Sequence, residues 1–318
     1  MKIIIPGGTG QVGQILARNF LKQGHEVVLF SRSKNPTLAG RIVNWDGETT
    51  EGNWVQELEG ADVLLNMAGF TVNCRYNKTN QERILESRTR STKILREAVQ
   101  SLATPPPVWM NASTATIYRH ALDRPMDEAT GELGGNEPGA PPKWNFSIKV
   151  AKEWEREFIE GELHGVRRVA LRSAMTMSPD KGGVFDVMRG LVAVGLGGTN
   201  GSGKQYVSWI HEADFIEAIQ FILAHEELDG PINLCAPNPL PNADFMRTLR
   251  NAYGAPIGLP ATAWMMEIGA IFLKTETELV MKSRRVVPGR LLGAGFKFQY
   301  PDWKPAAEDL CKRTKATR

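Results

Sequence analysis

Lys2-Ile3-Ile4-Ile5-Pro6-Gly7-Gly8-Thr9-Gly10-Gln11-Val12-Gly13 is the stretch whose reading decides the fold. Lys2 to Pro6 is an apolar run of strand length. After the glycines, Val12, Ile15, Leu16 and Phe20 recur at helical spacing as far as Gly24, so strand, turn and amphipathic helix follow one another directly. Gly7, Gly10 and Gly13 stand at the joint. Such a joint needs a backbone that tolerates positive φ, an uncluttered approach for an anionic group, and a helix start whose free N–H groups and dipole favour negative charge. Only glycine meets the first two demands. The expectation is a pyrophosphate cradle of the kind that opens a dinucleotide-binding domain; a turn that merely joins strand to helix is the plainer alternative.

Working outward, Glu26 to Phe30, Arg41 to Trp45 and Ala61 to Asn66 read as buried strands, with a short helix near Trp54 to Leu58. A long helix from about Asn80 to Ser101, a strand Val108 to Ala112, a helix from about Asn145 to Gly161 and a strand Arg167 to Arg172 continue the rhythm. Alternation of this kind predicts an α/β fold, a Rossmann-type doubly wound parallel sheet with a smaller, mostly helical C-terminal lobe. The aperiodic stretch Arg119 to Pro142 is expected to be a long loop, functional or simply inserted. We place a nucleotide-binding domain at 1–175, with 207–236 returning to it as helix and strand, and a substrate lobe at 176–206 and 237–318.

The end of the second strand chooses the cofactor. A site for NAD places an acid there to hold the ribose 2′-hydroxyl, whereas this chain has Ser31, Arg32, Ser33 and Lys34. A guanidinium pairs with a 2′-phosphate through a planar fork, and serine hydroxyls add donors. NADP(H) is therefore expected, preferred over NAD(H); a solvated basic loop is the plainer reading.

Composition excludes several classes. A net charge of +3 over 318 residues, scattered rather than striped, gives no footprint for nucleic acid. Cys74, Cys235 and Cys311 form no C-x-x-C pair, so neither a disulfide framework nor a metal site is expected. The longest late apolar run, Trp264 to Leu273, is broken by Glu267 and too short for a bilayer. We expect a cytoplasmic protein with a small-molecule substrate and no membrane or nucleic-acid partner. Trp264, Ile268, Ile271, Phe272 and Leu279 fall near helical spacing; core packing is preferred over a partner face, with a homodimer as the other reading.

The turn, Asn66-Met67-Ala68-Gly69, the STATIY run Ser113 to Tyr118 and the WIHEAD run Trp209 to Asp214 together resemble the extended short-chain dehydrogenase/reductase family. Ser87-Arg88, KEWE at Lys152 to Glu155, DKGG at Asp180 to Gly183, GLGGTNGSGKQYVSWIH and VVPGRLLGAGFKFQYP look more narrowly like its atypical NAD-dependent epimerase/dehydratase-like branch, which ends in a short domain of unknown function, matched here by roughly Val280 to Leu310. The resemblance implies that Gly7, Thr9, Gly10, Gln11, Val12 and Gly13 cradle the pyrophosphate and that Ser31 and Arg32 hold the adenosine ribose phosphate. It also implies that Asp46 approaches the adenine, that Met67, Ala68 and Gly69 line the nicotinamide ribose, and that Arg88 touches the cofactor.

In that family a Tyr-x-x-x-Lys pair and a Ser or Thr carry the proton transfer, the ammonium lowering the phenol's pKa. Thr114 falls at the hydroxyl position and Lys149 at the lysine, but Asn145 stands where the tyrosine belongs. An amide does not exchange a proton as a phenol does; Thr114, Lys149 and Asn145 are the expected catalytic positions, and Lys149 is expected to hold the nicotinamide ribose hydroxyls, a role that survives without the tyrosine. Tyr118 is the nearest other phenol, read first as a packed aromatic. His211 is read as organising the cleft between lobes, ahead of a titrating pair with Asp214. Two functions result: an NADP(H)-dependent oxidoreductase or epimerase-like enzyme, or an NADPH-binding sensor or structural protein without turnover.

Overall fold

A computed structural model describes residues 1–32, 38–135, 137, 140–262 and 276–316. Its centre is a seven-stranded sheet, built from β1 (Lys2–Pro6), β2 (Glu26–Ser31), β3 (Arg41–Asn44), β4 (Val63–Asn66), β5 (Val108–Thr114), β6 (Arg167–Ser173) and Gly230–Leu234. The order across the sheet is Gly230–Leu234, β6, β5, β4, β1, β2, β3, and every pairing is parallel. The chain thus runs outward from β1 in one direction, then returns to start β4 on its other side. That reversal opens a crevice at the carboxyl ends of β1 and β4, where doubly wound sheets bind ligands.

Both faces are covered, which is why the strands read as unbroken apolar runs. Ile3 and Ile5 pack with Leu16 and Phe20 of α1 (Gln11–Lys22) and with Phe215 and Ile219 of the helix Glu212–Ala224. Ile4 points the other way, into a layer with Trp54 and Leu58 of α2 (Trp54–Leu58), Leu95 and Val99 of α3 (Lys78–Ser101) and Phe158 of α4 (Asn145–Ile159).

A second core lies beyond the sheet, where Phe185, Trp209, Phe245, Trp303 and Leu310 pack together. Trp303 stacks on Phe245 at 4.1 Å and donates from Nε1 to the Phe245 carbonyl at 3.0 Å. The stretch from Arg119 has no helix or strand of its own up to the turn at Pro142 among its described residues. It latches the C-terminal segment instead: Met126 exchanges backbone bonds with Arg285 (2.7 Å) and Val287 (2.9 Å), and the Glu128 carboxylate accepts from the Asn233 and Arg290 amides.

Element limits differ modestly from the sequence reading. β5 continues to Thr114 because it pairs with β6 as far as Ser173, and α3 starts at Lys78 because Asn77 caps it, accepting from Asn80 N at 2.9 Å. Of the run from Trp264 to Leu279, only Glu276 onward lies within the described residues.

Candidate functional site

The turn after β1 is built as a cradle. Gly7 sits at φ +70°, and a methyl group on it would stand 2.6 Å from Ala68 Cα, so a side chain is excluded where β1 and β4 meet. Gly13 presses on Gly8 in the same way, at 2.5 Å from its Cα. Gly10 is exposed and is the N-cap of α1, with no side-chain cap and no acid in the first turn. The first helical bond runs from Gln14 N to Gly10 O at 2.9 Å, so the amides of Gln11, Val12 and Gly13 have no intrahelical acceptor. An uncapped helix start with only glycine above it fits a pyrophosphate. The segment before Val184 closes over this start: Gly183 lies against the Gln11 amide, and Asp180 pairs with Arg18.

At the end of β2, Ser31 Oγ and Thr9 Oγ1 lie 3.3 Å apart, which ties the strand end to the turn. Arg32 beside them is exposed and forms no ion pair with a described residue. Ser33 and Lys34 lie outside the described residues. Asp46 follows β3 and borders an open groove with Val43, Trp45, Gly52 and Trp54. Burial pushes its carboxyl up, but hydrogen bonds from Glu48 N (2.8 Å), Thr49 N and Thr49 Oγ1 (both 3.2 Å) more than offset this and hold it below the usual range.

Asn66, wholly buried at the end of β4, donates to Asn111 Oδ1 at 2.7 Å and accepts from Ala68 N at 3.0 Å. These bonds fix Met67, Ala68 and Gly69 as the lip of the crevice. Arg88 rises from α3 behind that lip, where it donates to the Phe70 and Ile84 carbonyls at 3.0 and 2.9 Å. A methyl group on Gly69 would come within 3.1 Å of the guanidinium carbon. Burial pulls Arg88 down to about 10, so it keeps its charge at neutral pH, with no acidic partner among the described residues.

Thr114 ends β5, partly buried, with Oγ1 accepting from Thr116 N at 3.1 Å. Asn145 and Lys149 do not join it in a polar network: both are exposed, and neither side chain has a hydrogen-bond partner among the described residues. At about 100° per residue they share one outward face of α4 with exposed Lys152, while Ile148, Ala151, Trp154 and Phe158 are buried. Ser147 lies on the inward side.

What Ser147 meets was not legible in the sequence. Its Oγ donates to Glu278 Oε2 at 2.6 Å. Around Glu278 gather Lys282, whose Nζ donates to the Thr116 carbonyl at 2.9 Å, and Arg284, whose Nε donates to Thr116 Oγ1 at 2.9 Å. Tyr76 packs on Phe146 at 5.2 Å and donates its backbone amide to Glu276 Oε1 at 2.7 Å. Burial raises the Glu278 carboxyl, pushes the Tyr76 phenol up to about 12 and pulls Lys282 down to about 8. The only sequence signal was Glu278 and Lys282 at i, i+4, a spacing that normally marks a solvated face.

The other candidates serve structure. Tyr118 is buried, donates to Asn233 Oδ1 at 3.0 Å and accepts from Arg172 at 2.9 Å. His211 caps the helix Glu212–Ala224, accepting Ala213 N at 3.1 Å, and contacts Asp309 at 3.2 Å rather than Asp214, which accepts the Gln299 and Tyr300 amides. Among the described residues no group of histidines, cysteines and acids is arranged to hold a metal, and no helix is long and apolar enough to cross a membrane.

Sheet order, crevice and uncapped glycine turn define a nucleotide-binding protein of Rossmann type. Residues 3–235 match the NAD dependent epimerase/dehydratase family, and the chain belongs to that family; residues 261–310 match a domain of unknown function, DUF1731. The second match is wider than the sequence reading proposed. The chain is 31% identical over 313 residues to an epimerase family protein, SSP1921, of Staphylococcus saprophyticus, covering 96% of this chain and 98% of that one. It is 30% identical to mouse epimerase family protein SDR39U1, covering 98% and 99%. Among solved structures, human epimerase family protein SDR39U1 (isoform 2) with NADPH superposes with a TM-score of 0.84 at 27% identity, covering 98% and 99%. Family and fold support a nucleotide-dependent oxidoreductase or epimerase-like role.

Proposed function

We propose that this protein is an NADP(H)-dependent oxidoreductase acting on a small carbonyl or alcohol substrate. The observation that carries the reading is Arg32, exposed beside Ser31 and Thr9 at a strand end that has no acid of its own. A 2′-phosphate would find a guanidinium and two hydroxyls there, and a bare 2′-hydroxyl would find no carboxylate. The human relative was solved with NADPH, whereas a fold neighbour of 15% identity was solved with NAD, so the preference rests on this chain's own residues.

The amides of Gln11, Val12 and Gly13 would hold the pyrophosphate, and Met67 to Gly69 with Arg88 would border the nicotinamide ribose. When bound, the nicotinamide supplies or takes a hydride. Thr114 Oγ1, at the carboxyl end of β5, would orient a substrate oxygen, and the C-terminal segment 276–284, tied to Thr116 by Lys282 and Arg284, would wall the far side.

Calorimetry with both coenzymes tests this. Arg32→Asp is expected to weaken NADPH about 10-fold to 100-fold, the worth of one or two charged hydrogen bonds, and to leave NADH nearly unchanged. Equal losses would remove the phosphate argument, and no heat with either coenzyme would remove the reading altogether. The outward Asn145 and Lys149 favour a second reading, an NADPH sensor without turnover; NADPH-dependent thermal stabilisation with no cofactor consumption across a carbonyl panel would select it.

A further inference from the structure

Helix α4 turns its polar residues in two directions, and only one of them leads into the molecule. Asn145 and Lys149 face outward, while Ser147 reaches Glu278 at 2.6 Å. Glu278 is 2% exposed, and its other oxygen, Oε1, is buried with no donor among the described residues. The charged groups facing it are Arg284, Lys282 and Glu276 from its own segment; the neutral Tyr76 phenol, hydrogen-bonded to Ser147, faces it from the loop before α3. Neither cation forms an ion pair with it: Lys282 Nζ is committed to the Thr116 carbonyl, and Arg284 to Thr116 Oγ1 and the Leu279 carbonyl. An ionised carboxylate would leave a charge-bearing oxygen buried without a donor, at a cost of several kcal/mol. A neutral carboxylic acid tolerates that environment, because its carbonyl oxygen carries far less charge, and a proton on Oε2 reverses the 2.6 Å contact so that the acid donates to Ser147 Oγ. Burial drives its titration in the same direction.

The position is chemically apt. Thr116 receives both cations and itself donates its amide to Thr114 Oγ1, so the cations that face the acid are tied to the end of β5. We propose that Glu278, contributed by the C-terminal domain, is the proton reservoir of the site and delivers its proton to the substrate oxygen through Ser147 Oγ, in place of a tyrosine on α4.

This rests on the reading of the protein as an NADP(H)-dependent reductase. With NADP(H) bound, the reduced nicotinamide would supply a hydride to the carbonyl carbon, and the carbonyl π pair would move onto oxygen. That oxygen takes the Ser147 hydroxyl proton while Ser147 Oγ takes the Glu278 proton. The products are the alcohol, the oxidised dinucleotide and a Glu278 carboxylate, which regains a proton from solvent. Ser147 is the catalytic group, and Glu278 acts through it.

Two readouts test the relay. The infrared spectrum of the wild type at neutral pH, minus that of Glu278→Gln, is expected to show the C=O stretch of a protonated carboxylic acid; a carboxylate band in its place overturns the proposal without reference to turnover. Steady-state kinetics with NADPH and 9,10-phenanthrenequinone, alongside a panel of aldehydes and ketones, is expected to show kcat down by at least ~100-fold in Ser147→Ala and in Glu278→Gln. NADPH affinity should stay within about three-fold and Ser147→Thr should recover activity, with the wild-type loss of kcat at high pH absent from Glu278→Gln. Ser147→Ala keeps the buried acid in place if Glu278→Gln folds poorly. An active wild type with kcat and pH profile unchanged in both variants refutes the relay alone. A wild type that binds NADPH but consumes none with any probe removes the reductase reading, and the relay with it.

Discussion

Gly7 does two jobs with one missing side chain. Its φ of +70° is a conformation L-residues rarely adopt, and its neighbour across the crevice is Ala68 backbone, 2.6 Å from where a Cβ would be. Backbone cannot yield as a flexible side chain can, so Gly7→Ala is expected to cost about 2 kcal/mol or more in stability and to weaken NADPH at least ten-fold by spreading the turn. Chemical denaturation and calorimetry on the same variant check both effects; an unchanged unfolding midpoint would contradict this account of the turn. Gly10, whose Cβ would meet only the Gly7 carbonyl at 3.4 Å, is expected to lose binding without comparable loss of stability. The glycine spacing was legible in the sequence because positive φ and close approach are demands that one residue type meets. Glu278 was not, since an acid at i, i+4 from a lysine reads as solvated unless its surroundings are known.

Helices and strands pin each other through a few buried polar side chains. His211 caps the helix Glu212–Ala224, 1% exposed, with the Tyr300 ring tilted against it at 4.0 Å and Asp309 at 3.2 Å. Burial pulls its imidazole from 6.5 to about 4. The unfolded chain binds a proton there as pH falls below 6.5, and the folded one does not until about 4. The contribution to stability is therefore intact above 6.5 and lost on acidification through that window, amounting to about 2 kcal/mol by about pH 5. Thermal unfolding at neutral and mildly acidic pH should show this slope in the wild type and a shallower one in His211→Asn, whose amide retains the cap to Ala213; parallel slopes would refute it. The sequence showed a histidine three residues before an acid, Asp214, but that acid is spent on the Gln299 and Tyr300 amides. The true partner lies nearly a hundred residues away and was beyond any local reading.

Across the molecule as a whole, the described residues form four buried apolar clusters: one on each face of the sheet, one around Trp303, and one in which Tyr118 and Met126 pack with Val286. The C-terminal segment is held from both sides: Met126 pairs with Arg285 and Val287, while Trp303 is sealed between Phe245 and Trp209. A ligand that fits the uncapped turn binds the folded state alone, so NADPH at about 100 times its Kd is expected to add ~2.7 kcal/mol, read as a rise in Tm that Arg32→Asp reduces. No rise with saturating NADPH would place the ligand elsewhere.

Local chemistry determined the sheet, its parallel sense, the glycine cradle and the basic strand end, because strand periodicity, helix periodicity and glycine's freedom act over a few residues and leave their mark in the residues themselves. Tertiary structure alone decided which side of α4 faces inward, that Ser147 rather than Asn145 meets an acid, and that this acid comes from the far end of the chain. Burial and partnership across 131 positions, as between Ser147 and Glu278, depend on how separate elements pack, and no spacing along the sequence encodes that distance.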